Sequence, residues 1–394
     1  MPHKTAPLAI ALVSALLAAG PAFAQTAFPQ ATKQATTGPI ADIYVQTQSG
    51  LNVYNANAAG QLTLVKGSPF YEPGQMEGIN SGYLINVGTD DLHSYKVESN
   101  GAIGAQAAQI DTQSYAGYEC GGTAGPSLLD HNGQFFSVGL YGSTSGDCSS
   151  LQTYKLASNG EFTFLGDAVS TNGVHSTPYQ VNVTTYSSND LFAYGVQSQQ
   201  EATAFLAYQR GAAGDLVVNG SFTEKDPTPD PSDSNYAPWL VAADNASHLA
   251  VVMNEPFGPN CCSYFQLASY SINDQTGAIS STNTYQNMPV LQIYADDIGM
   301  SWGGNFVAVG GGPGLQIFHF NGAAPATAFG GVLLPKISID RVAWDKDNHL
   351  YALSYSSGQL YVYTVTSTSI TEAAGSPYTV AKPYGYNALI VVPK

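Results

Sequence analysis

From Leu151 to Leu165 (LQTYKLASNGEFTFL) apolar and aromatic residues alternate with polar ones on both sides of Asn159-Gly160. Alternation is the period of a half-buried strand. Asn-Gly favours a tight hairpin because both residues tolerate positive φ. The same unit returns as NVYNANAAGQL from Asn52, HSYKVESNGAI from His93, LAYQRGAAGDL from Leu206 and ASYSINDQTGAI from Ala268. A degenerate copy lies around Phe318–Gly322, and another, without its Gly, around Tyr363–Ile370. Repetition at this spacing decides the architecture before any local motif does.

Ahead of each unit runs a short apolar strand: IYV at Ile43, YLINV at Tyr83, FFSV at Phe135, LFAY at Leu191, LAVVM at Leu249, FVAV at Phe306 and LYAL at Leu350. Most follow a further strand that ends in a polar hairpin, as in LLDHNG from Leu128 or RVAWDKDNH from Arg341. Each repeat therefore has four strands, A to D. The final strand, around Tyr386–Val392, has no strand B after it, and the first strand B, at Ile43, has no strand A before it. Circular closure satisfies both ends and leaves no open sheet edge. The prediction is an all-β chain: one seven-bladed β-propeller of four-stranded blades over residues 40–394, its C-terminal strand completing the N-terminal blade.

In such a meander the A–B and C–D turns share one face, and the B–C and D–A connections share the other. The second set holds the long segments: Thr112–Gly125, Ser143–Ser150, Thr223–Ala237, Glu255–Ser263 and Thr282–Asp297. Long loops on one face of a rigid scaffold are where binding residues usually sit. Strand A is innermost, so residues entering it ring the mouth of the central channel.

The N-terminus changes the picture of where the chain works. Lys4, the apolar run Ala6–Gly20 and Ala22-Phe23-Ala24 have the order of a secretory signal peptide, with cleavage expected after Ala24. Residues 25–39 read as a flexible lead-in. Export to the periplasm or exterior is the expectation, without membrane insertion. Charged residues make up 10% of the chain, against roughly 25% in ordinary soluble domains. The net charge of −16 and the presence of only two arginines, Arg210 and Arg341, argue against nucleic acid and polyanionic ligands. No calcium-loop motif or metal-spaced Cys pair appears, and no metal or cofactor is expected.

The candidate chemistry clusters at strand A entries. Pro178-Tyr179, Pro238-Trp239 and Pro383-Tyr384 each set an aromatic after a proline. Tyr179, Trp239 and Tyr384 are thus candidate stacking platforms for a sugar or other flat ligand; the competing reading makes them wedges between blades. His175, in a D–A connection, is a candidate general base. His131, His248 and His349 fall in A–B hairpins and read as solvated turn residues. Arg341 is placed to hold a carboxylate or oxyanion, or to pair with Asp340. Glu77 and the pair Asp296-Asp297 occupy equivalent entries. Of the four cysteines, Cys120 and Cys148 flank one blade on the loop-rich face and are read as a disulfide. That leaves Cys261-Cys262 as a vicinal pair marking a ligand surface; cross-blade bridges and free thiols are the alternatives.

The stretch from Tyr54 to Phe70, with its NANAAGQLTLVKGSPF, and its echo Gly375-Ser376-Pro377-Tyr378 resemble the lactonase-like seven-bladed propeller family. That family includes proteins similar to the cycloisomerase-type 6-phosphogluconolactonase. The resemblance implies a central-channel site using histidine, glutamate and arginine. His175 matches in position, and Arg341 stands for one arginine. Arg210 belongs to a C–D turn on the other face, so no second arginine is at hand for a phosphate. The resulting expectation is a carbohydrate- or lactone-binding propeller. If it is an enzyme, it is a lactone hydrolase with His175 as base, Glu77 or Asp297 orienting it or the water, and Arg341 steadying the oxyanion. The alternative is a non-catalytic module docking a protein or polysaccharide.

Overall fold

The computed structural model describes residues 38–71, 75–80, 82–88, 91–112, 124–141, 149–168, 181–197, 205–222, 237–254, 265–385 and 387–394. The strands form seven antiparallel sheets, each a meander of four, with short extra strands added in two of them. The innermost strands are Leu389–Pro393, Gln75–Asn80, Ala124–Leu129, Val181–Tyr186, Ala237–Ala243, Tyr294–Met300 and Arg341–Trp344, in blades 1 to 7. Each lies beside the inner strand of the next blade, and Arg341–Trp344 meets Leu389–Pro393, so the ring closes. The closing ladder pairs Leu389–Pro393 with Ala41–Thr47, from Ala41↔Pro393 to Val45↔Leu389. Lys394 finishes it: its backbone N–H donates to Ile40 O (2.8 Å), and its Nζ meets Asp42 at 2.9 Å.

The core is divided into layers between blades. Among the described residues, each of the seven blade interfaces has its own buried apolar cluster. This is why strands B read as continuous apolar runs: both of their faces are covered. Ile43, Leu84, Phe136, Ala193, Leu249, Val307 and Leu350 stand directly opposite Tyr54, Tyr95, Tyr154, Tyr208, Tyr270, Phe318 and Tyr363. The repeating aromatic of the sequence unit thus fills the same level in every blade.

The repeating glycine has an equally specific task. Gly160 (φ +87), Gly214 (φ +94) and Gly277 (φ +73) turn the C–D hairpins of blades 3, 4 and 5. A Cβ on them would sit 2.6, 2.4 and 2.4 Å from ring atoms of Tyr83, Phe135 and Phe192 in the preceding blade. The turn backbone also accepts hydrogen bonds from that blade: Ser94 Oγ donates to Gly160 O (2.6 Å) and Tyr194 Oη to Gly277 O (2.8 Å). In blade 7, which lacks the Gly, Thr366 Oγ1 accepts from Ser369 N (3.0 Å) and holds the turn instead.

Two expectations are corrected. Of the turn histidines read as solvated, His131 is exposed, His248 is half-buried and His349 is not solvated. His349 is buried, with Nδ1 2.8 Å from Asp345 Oδ2, an oxygen that also accepts from Tyr351 Oη (2.9 Å). His248 pairs likewise with Asp244 (2.8 Å), and the partly exposed His131 reaches across to Asp190 of the next blade (2.6 Å). In blades 5 and 7 the tight A–B turn brings its own carboxylate within reach of the imidazole. The stretch 282–297 is also not all loop: Val290–Leu291 pairs along Phe265–Gln266, and the inner strand of blade 6 starts at Tyr294.

Candidate functional site at the channel mouth

The inner strands share an irregularity where they enter the channel. In blades 2, 4, 5 and 6 one residue is left over in the ladder: Glu77, Asn182, Trp239 and Asp296. The inner strand of blade 3 has its register shift at the same level, between Ala124 and Ser127. In blade 7, Asp340 N bonds Leu353 O (2.9 Å) while Arg341 is also opposite Leu353. A bulge swings a side chain off the alternation of the strand. The backbone of these inner strands is therefore irregular at one common level, the entry to the channel.

Blades 6 and 7 bring Asp296, Asp297, Asp340 and Arg341 together. Asp297 is half-buried, and its Oδ2 accepts the backbone N–H of Val342 at 2.7 Å, tying blade 7 to blade 6. Crowding by protein pushes its carboxyl up to about 6; Arg341 and the backbone donors Val342 and Ile298 pull it down, and Asp296 adds to the rise. Asp296 is also raised, first by desolvation and then by Asp340, against Arg341. Arg341 is half-buried, donates to its neighbour's carbonyl, Asp340 O, and lies 5.7 Å from the Tyr355 ring centroid. Tyr355 N donates to Asp340 Oδ2 (2.7 Å), and Tyr355 Oη to Gly385 O (2.5 Å). The result is one guanidinium set among carboxylates on a rigid floor.

The second part of the mouth lies at blades 1 and 2. Gln46, 7% exposed, accepts Met76 N on Oε1 (2.7 Å) and points Nε2 at Tyr384 Oη (3.4 Å). A shallow cleft of about 40 Å3 opens here, lined by Gln46, Thr47, Gln48, Tyr71, Asn86 and Tyr384 among others. Across the channel, Asn387 Nδ2 of blade 1 donates to Ser127 Oγ of blade 3 (3.2 Å), so side chains meet over the inner strand of blade 2.

The predicted residues divide as follows. Asp297 and Arg341 are together at the mouth. Tyr384 is there too, 39% exposed. Trp239 is at the mouth but half-buried; its indole N–H donates to Ala295 O in the next blade (2.9 Å), and its ring meets Phe265 edge-on at 6.3 Å. That is the geometry of a wedge between blades. Glu77 occupies the bulge of blade 2, and its side chain lies outside the described atoms. His175, Tyr179, Cys120, Cys148, Cys261 and Cys262 lie outside the described residues. Arg210 is on the opposite face, stacked over Phe135 (4.3 Å) and bonded to Asp190 O (2.8 Å).

Sequence reasoning passed over Tyr355, Gln46 and Tyr71. Aligning the B–C connections would have placed Tyr355, Gln46 and Gln48 around the mouth, since each ends a strand B or follows one.

No family model matches the chain, and no curated protein matches it. Solved structures do. A candidate 6-phosphogluconolactonase from Bacteroides fragilis superposes with TM-score 0.63 at 11% identity, covering 91% of this chain and 99% of that one. Another, from Bacteroides uniformis, gives 0.62 at 12%, covering 90% and 100%. The chain shares their seven-bladed fold. A hydrazine synthase structure from Kuenenia stuttgartiensis also matches, with TM-score 0.52 at 12% identity, over 87% of this chain and 100% of that one. The fold is therefore shared by proteins of different activity, and function has to be argued from the site.

Proposed function

We propose that the protein is an exported lactonase-like propeller that binds a small neutral or weakly charged ligand, a carbohydrate or lactone, at the channel mouth and hydrolyses a lactone there. The observation that carries this reading is the grouping of Asp297, Asp296 and Arg341 on adjacent bulged inner strands. Lactone hydrolysis needs a base for water and a positive group for the carbonyl oxygen as it becomes an oxyanion. Arg341 is permanently charged and held by its surroundings. Asp297, with a carboxyl near 6, exchanges its proton close to neutral pH. His175 enters as the general base, with Asp297 or Glu77 orienting it or the water. The ring C–O bond then breaks, and a hydroxy acid leaves. The N-terminal leader supports export, and Cys120–Cys148 and Cys261–Cys262 are the disulfides proposed for an oxidising compartment.

The product acid releases a proton, so a pH-stat reads the reaction directly. Purified protein is assayed with a panel of sugar and aliphatic lactones beside His175→Ala. Turnover abolished in the variant supports the hydrolase and places the base. No turnover on any lactone replaces this reading with the non-catalytic binding module.

A further inference from the structure

We infer that the cleft between blades 1 and 2 is a recognition subsite for a neutral saccharide, separate from the acid–arginine cluster of blades 6 and 7. The inference deepens the ligand-binding reading above and rests on it. Its basis is the chemistry of the lining. Tyr71 is 83% exposed and Tyr384 39%, and both border the same cleft. Large aromatic rings left this open at a concave site have no packing duty that accounts for their exposure. Beside them stands the exposed amide of Gln48, over a buried polar floor of Gln46, Asn86 and Thr47.

Among the described residues, the lining has no carboxylate, ammonium, guanidinium or imidazole. Such a set fits a pyranose better than any other common small ligand. One face of a pyranose is a patch of C–H groups that packs on an aromatic ring. Its rim carries hydroxyls that both donate and accept, which is what amides can match. A phosphate or carboxylate finds no cation among the described lining residues and meets a protein of net charge −16.

One amide of the floor, Gln46, is also fixed in place. Gln46 is clamped between Met76 N and Tyr384 Oη, with its backbone N–H on Ala388 O (2.9 Å) and its carbonyl accepting from Tyr384 N (3.3 Å). One buried residue thus sets the position of the Tyr384 ring relative to blade 2. The cleft is shallow, so it grips one sugar ring by a face and an edge, whether that ring is free or terminates a longer glycan.

The test is saturation-transfer NMR and calorimetry on the purified protein. The probes are glucose, galactose, mannose, N-acetylglucosamine and cellobiose, against glucuronate and glucose 6-phosphate. The expected result is binding of at least one neutral sugar and none of the charged pair. Tyr71→Ala and Tyr384→Ala should each weaken it about tenfold, the size of one lost aromatic contact. Tyr71 projects into solvent, so its variant keeps the fold. A stronger response to cellobiose than to glucose assigns the source to a glycan, and the reverse to a free sugar. Preference for a charged probe, neutral binding untouched by both variants, or no binding of any probe at millimolar concentration overturns the subsite. Lactone turnover in the same samples separates the two readings: turnover without sugar binding removes the subsite alone, and sugar binding without turnover removes the hydrolase alone.

Discussion

Asp297 is held in a place that suits chemistry better than stability. Its carboxyl is raised to about 6, chiefly by crowding. For an acid whose folded value lies above its unfolded one, the folded state binds more protons, so stability falls as pH rises from about 4 to 6 and then levels off. Asp297→Asn removes the half-buried charge and keeps an oxygen for Val342 N. Chemical denaturation should show it more stable than the native protein at pH 7 by on the order of 1–2 kcal/mol, with the gain gone near pH 4. His131 runs the other way. The Asp190 hydrogen bond raises it, ahead of the opposing effect of burial. Its contribution is full below the unfolded value of about 6.5 and fades as pH rises through the folded value. Because the ring is 41% exposed, His131→Ala should lose only about 0.5–1 kcal/mol at pH 5.5, and less at pH 8. Equal losses at both pH values, measured by urea unfolding, contradict the ion-pair explanation.

The elements explain how much could be read in advance. The alternating unit around Asn159-Gly160 announced the C–D hairpins because tight turns and strand pleating are local. What the sequence did not show is why that glycine recurs: its neighbour is an aromatic ring of the preceding blade, a contact distant in the chain. Gly277→Ala and Gly330→Ala separate the two causes. Both positions have positive φ (+73 and +81), but a Cβ at 277 meets Phe192 at 2.4 Å and one at 330 meets nothing within 4 Å. Thermal or urea unfolding should give a loss of about 1 kcal/mol for Gly330→Ala and about 2–4 kcal/mol for Gly277→Ala. Similar losses contradict the blade-joint reading. The site was legible only in part. Strand A entries could be located, so Asp297, Arg341 and Tyr384 were named. The bulges were not, because a ladder with one residue left over looks like any strand until its partner is in place. His349 misled for the same reason: a polar turn gives no hint that the Asp345 carboxylate will draw the ring inward.

At the scale of the molecule, closure by Leu389–Pro393 ties the two ends of the chain into one blade and covers the edge of Ala41–Thr47. Deleting residues 389–394 exposes that long apolar edge. Light scattering and hydrophobic-dye binding should show aggregation, whereas a truncated chain that stays monodisperse and unfolds at the native temperature contradicts the closure argument. The ring also separates two polar faces of opposite character. One carries the His131–Asp190 pair and the Arg210 contacts that join blades 3 and 4, and the other carries the mouth. The proposed hydrolysis uses the mouth face alone, and parallel steady-state hydrolysis tests it. A lactone turned over by the native protein is assayed with Arg341→Gln, Asp297→Asn and His131→Ala, each checked for native folding. Loss of about a hundredfold or more in kcat/KM for the two mouth variants, with His131→Ala unchanged, is the predicted result. Mouth variants that retain native turnover contradict catalysis at the channel mouth.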